Sequence, residues 1–211
     1  MSALADFYDL LLPELPGCAT GLLDLHLRDV TREFCGATSV WRTPLASIDT
    51  VADQATYTVV VPANSALVRI TKFAVAGLLL WQLSDRGADR SALVARPKYV
   101  PSTPPFSMNE GLTQITLMEV PEATVIGGME ITAALKPSLD APAVPDFLKS
   151  QHSEAIRYGV LSRLMAMGKK PWTDRELASV YASRWNSALG FAAYQAQVGN
   201  TREPLRVKKT I

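Results

Sequence analysis

The residue types that most often carry out chemistry are few in this chain of 211 residues. Its histidines are His26 and His152, and its cysteines are Cys18 and Cys35. A catalytic histidine works as part of a pair or triad with an acid and a nucleophile in a recognisable arrangement, and a zinc site needs Cys and His at ligand spacing. The sequence shows neither pattern, and no CxxC pair. We interpret the cysteines as small apolar residues of a reducing cytoplasm, His26 as a residue at the edge of a helical core, and His152 as a solvated helix residue.

Short motifs for catalysis are also missing from the sequence. It contains no GxGxxG, GxxxxGK[ST], GxSxG or HExxH pattern and no paired-carboxylate motif at helical spacing in a plausible cleft. The segment "AMGKKPW" (residues 166–172) has a Gly-Lys pair but lacks the upstream glycine and the Ser or Thr of a phosphate loop, so we interpret it as a turn between helices. The sequence predicts no catalytic residue, no cofactor and no metal ligand. The sequence favours a function in which the protein surface makes contact with other molecules.

Charge and composition narrow the class of partner. Hydrophobic residues make up 48% of the chain and charged residues 19%, which is enough for one domain with a substantial core, or for a domain with an insertion. Bases and acids are in rough balance without a recognition-helix pattern or an aromatic-basic stripe, which argues against sequence-specific DNA binding. Asp6 and Asp9 stand where a signal peptide needs basic and then apolar residues, and the longest apolar stretch, Phe73 to Trp81, is too short to span a bilayer. We expect no membrane role.

The spacing of apolar residues predicts helices at both ends of the chain. Near the start, Ser2 is the expected cap of a short helix that ends at Pro13. The next helix presents one apolar face and ends at Gly36; the face consists of Leu23, Leu27, Val30 and Phe34. On its other face we expect Asp24 to pair with Arg28, and Asp29 with Arg32.

A second helical region follows Pro145. A broad apolar stripe begins near Phe147, and the segment "MGKKPWTDRE" (residues 167–176) then breaks the pattern. Thr173 and Glu176 have the spacing of a capping box for the last helix. The two helices therefore form an antiparallel hairpin, with Trp172 and Trp185 interpreted as its buried anchors in preference to interface residues.

The middle of the chain changes to the alternating period of strands. The segments "TYTVVVP", "ALVRITKFAV", "LLLWQL", "TQITLMEV" and "GMEITAALKP" predict five antiparallel strands. Four prolines fall within residues 95–111, so we expect a loop there, with a short strand at Lys98 to Val100. The run Leu78 to Trp81 is interpreted as core, with an exposed contact patch as the alternative.

These patterns predict an α+β fold: an antiparallel helical bundle built from both ends of the chain, with a central antiparallel β insertion and an extended C-terminal tail. The expected boundaries are residues 1–42 and 143–200 for the bundle, 43–142 for the β-rich insertion and 201–211 for the tail.

The tail, "TREPLRVKKTI" (residues 201–211), has the features of an arm that binds another chain. It carries four basic residues and one acid, whereas the rest of the chain sums to −2. Pro204 disfavours a helix, and in an extended arm the apolar and basic side chains alternate. Such a segment can complete a groove on a partner through backbone hydrogen bonds and side-chain pockets. The candidate binding residues are Arg202, Pro204, Leu205, Arg206, Val207, Lys208, Lys209 and Ile211. A frayed terminus is the alternative.

Four segments in order resemble the head-to-tail adaptor, or connector, proteins of tailed bacteriophages, particularly short-tailed ones. Residues 6–45, "DFYDLLLPELPGCATGLLDLHLRDVTREFCGATSVWRTPL", are similar to the family's opening pattern, and "QITLMEVPE" with "MEITAALKPS" resemble its paired strands. Residues 144–189 resemble the pattern "P-D-x-L … E-A-I-x-x-G-x-L-x-R-L … K-P-W-x-D", and "TREPLRVKKTI" resembles an "R-x-P-L-R-V" ending. The segments "FSMNEGLTQ" and "TVIGGME" do not match the family pattern.

The resemblance implies a structural virion protein at the junction of capsid and tail, assembled in the host cytoplasm, and not an enzyme. It implies a homo-oligomeric ring, usually of twelve copies, below the portal protein. The ring would contact the tail nozzle or tail tube protein and pass the genome, which is non-specific DNA, through its lumen. The arm would then dock in a groove of the portal. The alternatives are a tail terminator or stopper protein, and a small intracellular enzyme or regulator.

Overall fold

The structure, a computed structural model, describes residues 1–75, 78–82, 105–108, 111, 113–118 and 120–198. The chain divides into two compact units, a helical unit of Met1–Trp41 with Lys136–Ile211 and a β unit of Arg42–Leu135. The described strands are β1 (Ser2–Ala3), β2 (Arg42–Pro44), β3 (Ile48–Thr50), β4 (Thr56–Thr58), β5 (Ser65–Val75), β6 (Leu78–Gln82), β7 (Pro105–Met108), β8 (Gln114–Leu117), β9 (Val125–Pro137) and β10 (Ala143–Val144). The described α-helices are α1 (Tyr8–Leu11), α2 (Thr20–Thr38), α3 (Asp146–Met165) and α4 (Arg175–Val198).

The chain opens with a strand and not with a capped helix, so the prediction for Ser2 is wrong. Ser2 lies in β1, which pairs antiparallel with β10, and its hydroxyl donates a hydrogen bond of 2.8 Å to Oδ1 of Asp146. A 3-10 helix (Leu4–Phe7), α1 and a second 3-10 helix (Leu12–Glu14) follow. Their apolar side chains enter the helical core at Leu4, Phe7, Leu11 and Leu15.

Helix α2 buries the face that its spacing predicts. Leu23, Leu27, Val30 and Phe34 are fully buried. The helix does not end at Gly36 but continues to Thr38, where Ser39 adopts a left-handed conformation (φ 53°) and its amide bonds the carbonyl of Cys35 at 2.9 Å. The hydroxyl of buried Thr38 donates to the carbonyl of Phe34, which satisfies that polar group inside the core.

The charged pairs expected within α2 do not form, because these side chains reach other segments of the helical unit. Arg28 Nε donates to the carbonyl of Ala141 at 3.3 Å, and Arg32 donates to the carbonyl of Pro137 at 3.2 Å. Asp24 accepts a hydrogen bond of 2.6 Å from the Tyr8 hydroxyl. The polar side chains of α2 therefore bond segments that precede and follow this helix in the chain, and do not bond one another.

The predicted helical hairpin is confirmed, and a glycine determines how closely its helices pack. Helices α3 and α4 run antiparallel, with Trp172 and Trp185 buried in the core as expected. At Gly159 on α3, an added Cβ would lie 2.7 Å from Val30 Cγ1 and 2.9 Å from Trp185 Cε3. Only a residue without a side chain lets α2 and α4 approach α3 this closely.

The turn between α3 and α4 differs from the predicted capping box. Thr173 accepts from the Lys170 amide and donates to the Met167 carbonyl, which closes the turn itself. In the first turn of α4 the cap is Asp174, whose Oδ1 accepts a hydrogen bond of 2.9 Å from the amide of Leu177. The cap is therefore one residue later than the sequence pattern predicts.

The described strands of the β unit pair in the order β2-β9-β5-β6-β7-β8-β4, with β3 also bonded to β9. The long strand β9 carries the central core residues, including Met129, Ile131 and Leu135, which are essentially fully buried. Phe73 on β5 and Phe106 on β7 pack edge to face with ring centroids 4.7 Å apart.

The predicted fold class is wrong in its architecture, although the chain is α+β. Strands β1 and β10 form a ladder within the helical unit, so strands are not confined to one insertion. Strands β6 and β7 are parallel, and β7 lies where a loop was expected. A parallel connection needs about a dozen residues or more, and the proline-rich stretch between Gln82 and Pro105 supplies that length. The strand expected at Lys98 to Val100 lies outside the described residues.

Candidate interaction surfaces

The predicted arm lies outside the described residues, as do all of its candidate binding residues: Arg202, Pro204, Leu205, Arg206, Val207, Lys208, Lys209 and Ile211. Its role in binding a partner therefore stays a prediction. The side chains of Leu78 to Trp81 are likewise outside the description, so the choice between core and contact patch also stays open.

The cysteines have the environment expected of small apolar residues. Cys18 and Cys35 are both free and buried. Burial raises the pKa of the Cys35 thiol to about 12 and also raises the pKa of Cys18. Because the thiolate is the reactive form, neither residue is suited to nucleophilic chemistry near neutral pH.

The two histidines serve packing. His26 is half-buried, and its pKa is lowered by that burial and by the nearby Arg163 guanidinium. His152 was expected to be solvated, but its ring lies 5.0 Å from the ring of Phe34 and 6.2 Å from that of Phe147, so this prediction is wrong. Burial lowers the pKa of His152 below its ordinary value of 6.5. Both rings are therefore neutral near pH 7.

Among the residues that the structure describes, no group of three or more His, Cys, Asp or Glu side chains is placed to hold a metal ion. No helix in the described part of the chain has the length and apolar character needed to cross a membrane.

One polar network in the helical unit joins three elements. Glu14, at the end of the second 3-10 helix, forms an ion pair with Arg157 of α3 and accepts a hydrogen bond of 2.5 Å from Tyr181 of α4. Burial, followed by the bond to Glu14, raises the pKa of the Tyr181 hydroxyl. The ring of Tyr181 stacks on Tyr158 with centroids 5.8 Å apart. The network positions the start of the chain on the helical hairpin.

Beside this network, one flank of α4 exposes large apolar side chains. Arg184 lies 5.6 Å from the centroid of the Tyr158 ring, and residues on the same flank recur at steps of three and four. Val180 is 42% exposed, Phe191 63% and Tyr194 59%. We call the residues Val180, Arg184, Ser187, Phe191 and Tyr194 the α4 flank. The face of α4 that packs into the core is a different one, formed by Ala178, Tyr181, Trp185 and Ala192.

The β unit has an exposed apolar surface of its own, which we call the tip and define as residues 47–54 and 120–127. Ile126 is 89% exposed, and Val51, Val120 and Val125 are each more than 40% exposed. Hydrogen bonds tie the two segments together, among them Asp53 N to Pro121 O at 3.0 Å. The tip is thus an ordered structure that presents aliphatic side chains outward.

The α4 flank, the tip and the Glu14 network are absent from the sequence predictions. The flank could have been found, because Val180, Phe191 and Tyr194 share a helical face beside the apolar stripe that faces the core. The network could not, because Glu14 lies 143 residues from Arg157 and 167 from Tyr181 in the sequence.

A scan against models of known protein families found no match for this chain, and a search of curated proteins found no match either.

Proposed function

We propose that this protein is a structural virion protein that forms a ring, of about twelve copies as the family resemblance implies, between the portal and the tail of a bacteriophage. The genome passes through the lumen of the ring. The proposal rests on the ordered series of motifs from residue 6 to the arm and on an exposed surface suited to contact between copies.

The α4 flank is the observation that carries the ring. A ring forms when two different patches of the same chain meet and the rotation between copies closes. Exposed apolar side chains that lie together mark interaction sites, and Phe191 and Tyr194, three residues apart on α4, are each more than half exposed. Phe191 and Tyr194 are aromatic, the residue type that contributes most strongly when buried at an interface.

Arg184 adds a charge at the centre of this flank. Its guanidinium lies over the ring of Tyr158 on α3, which holds the charge at that ring. An arginine held in this way can pair with a carboxylate of the neighbouring copy and set the register of the contact.

The arm is the proposed contact with the portal. Its alternating aliphatic and basic residues suit a groove on a larger partner, in which the backbone adds hydrogen bonds along an exposed strand. The side of the ring away from the portal would meet the tail nozzle or tail tube protein.

The ring contact is tested with Phe191→Ser and Tyr194→Ser together in the full chain. The matched control is Leu139→Ser, which alters a side chain of the helical unit that is 67% exposed and outside the flank. We expect the double variant to lose ring formation, measured as particle mass in the presence of portal, while the control assembles like the wild type. Equal assembly of all three proteins would overturn the role of the flank.

The portal contact is tested by deleting residues 201–211 and measuring capture by immobilised portal. We expect capture to fall to background. Undiminished capture would refute the arm's role, and capture of the full chain by purified tail tube but not by portal would instead establish the tail terminator or stopper alternative.

A further inference from the structure

The tip of the β unit is held rigid by hydrogen bonds between its two segments. The Gly127 amide donates to Asp49 at 2.6 Å, the Val125 amide donates to the Thr50 hydroxyl at 3.0 Å, and the Ala52 amide donates to the Thr124 hydroxyl at 3.1 Å. These bonds hold the backbone of the two segments together. A partner that docks on the exposed side chains of the tip would therefore meet a preformed surface, which reduces the loss of conformational freedom on binding.

The tip exposes four aliphatic side chains. Ile126 is exposed to 89% of its full area and directly precedes Gly127, whose φ is +63°. Val51, Val120 and Val125 belong to the same two segments and are each between 42% and 44% exposed. Burial of such a group of side chains is the driving force that a docking partner would use.

The charges within the tip indicate which kind of partner would bind it. The described residues 47–54 and 120–127 contain three carboxylates and no Lys or Arg. The carboxylates belong to Asp49, Asp53 and Glu122, so the tip carries a charge of −3. Its complement is an extended segment with aliphatic and basic residues in alternation.

The sequence itself contains a segment of this chemistry. The arm, residues 201–211, has the basic residues Arg202, Arg206, Lys208 and Lys209 and the single acid Glu203, a net charge of +3. In an extended conformation its apolar side chains Leu205 and Val207 alternate with basic ones. The arm thus matches the tip in both charge and apolar character.

We propose that the tip of one copy binds the arm of a second copy of this chain. The contact is made between protein copies without portal, so it does not depend on the proposed function. An arm can bind only one site at a time, so the tip of the neighbouring copy and the groove proposed on the portal compete for it. Portal binding would then release the arm from the neighbouring tip.

The proposal is tested with a fluorescent peptide of residues 201–211 and the full chain carrying Arg206→Gln, Lys208→Gln and Lys209→Gln, which weakens competition from its own arm. Binding is measured by fluorescence anisotropy. We expect saturable binding that weakens as salt is raised from about 0.1 M to about 1 M, over which the screening length falls from ~10 Å to ~3 Å. A peptide in which the same three basic residues are Gln is the matched ligand control.

The tip is then altered in that same full chain by Ile126→Ser, with Leu139→Ser, at a side chain that is 67% exposed, as the control outside the tip. We expect Ile126→Ser to weaken peptide binding by at least about tenfold, which corresponds to ~1.4 kcal/mol, and Leu139→Ser to leave it unchanged. Glu122→Gln with Asp53→Asn should reduce the salt dependence. Because Ile126 is almost wholly exposed, its replacement should leave the thermal midpoint unchanged, which separates lost binding from misfolding.

Absence of peptide binding would overturn the proposal, as would equal weakening by Ile126→Ser and Leu139→Ser. Peptide binding that Ile126→Ser does not weaken would place the arm elsewhere and would also contradict it. A failure of portal capture in the separate experiment above would leave this result intact.

Discussion

The packing of the helical unit makes its sharpest quantitative prediction at Gly159. An alanine there would place its Cβ 2.7 Å from Val30 Cγ1 and within 2.9 to 3.0 Å of two carbons of the Trp185 ring. Ordinary carbon contacts are about 3.5 to 4.0 Å. The flanking helices α2 and α4 would therefore have to move apart, and the fully buried Val30 and the ring of Trp185 have little room to do so.

Two opposing effects set the size of the change. Overpacking of a tight core lowers the free energy of unfolding by about 1–3 kcal/mol, and a contact with two helices at once favours the upper part of that range. Replacing a helical glycine with alanine raises the free energy of unfolding by about 1 kcal/mol. We therefore expect Gly159→Ala to lower it by about 1–2 kcal/mol, or roughly 3–6 °C in thermal midpoint.

The matched control is Gly190→Ala on α4, where an added Cβ would meet nothing within 4 Å. Here only the helix propensity acts, so this substitution should raise stability by about 0.5–1 kcal/mol. Thermal unfolding followed by far-ultraviolet circular dichroism reports both changes. If Gly159→Ala stabilises the protein as much as Gly190→Ala does, the close approach of the three helices is wrong.

Two further predictions concern the same unit. Glu14→Gln should lower the free energy of unfolding by about 2 kcal/mol in urea titrations, because hydrogen bonds to charged groups contribute ~1.5–3 kcal/mol. The control Glu176→Gln, at an exposed position, should change the free energy of unfolding by less than ~0.5 kcal/mol. Equal effects of the two substitutions would refute the role of the Glu14 network. The folded pKa of His152 is below its ordinary value of 6.5, so the folded state resists protonation and stability should fall as pH decreases from 6.5 through the folded pKa. His152→Gln should make stability depend less on pH in this range. The pH dependence that remains should come from His26, whose pKa is also lowered. An unchanged pH dependence would contradict the burial of His152.

The regular spacing of apolar residues predicts the longer helices and strands. The spacing of Leu23, Leu27, Val30 and Phe34 defines one face of a helix, and all four are buried. The alternation within residues 66–75 likewise predicted most of β5. In each case the period of the secondary structure is written into neighbouring residues.

Other features had no local signal. Strands β1 and β10 have two residues each and are defined by pairing between positions 140 or more residues apart, so no periodicity in the sequence indicates them. Strand β7 begins at Pro105, and a proline favours the interpretation of a loop. Arg28 and Arg32 have acids at helical spacing but bond backbone carbonyls beyond residue 136, because the fold brings those carbonyls within reach.

The candidate surfaces likewise differ in whether a local sequence pattern or a long-range contact defines them. The charge and the alternation of residues 201–211 predict the arm, and both are properties of a short segment. The tip depends on hydrogen bonds between residues 47–54 and 120–127, and its apolar side chains resemble those of buried strands in the sequence. Exposure at Ile126 is a property of the fold, because no feature of the neighbouring sequence distinguishes this residue from the buried Met129 and Ile131 of the same strand.

Electron microscopy of the purified full chain mixed with its portal tests the central claim most directly. We predict a closed ring stacked coaxially on the portal, with about twelve copies and an open lumen. Single copies bound around the portal without contact between them would contradict the ring. A complete absence of bound protein would contradict the proposed place in the virion.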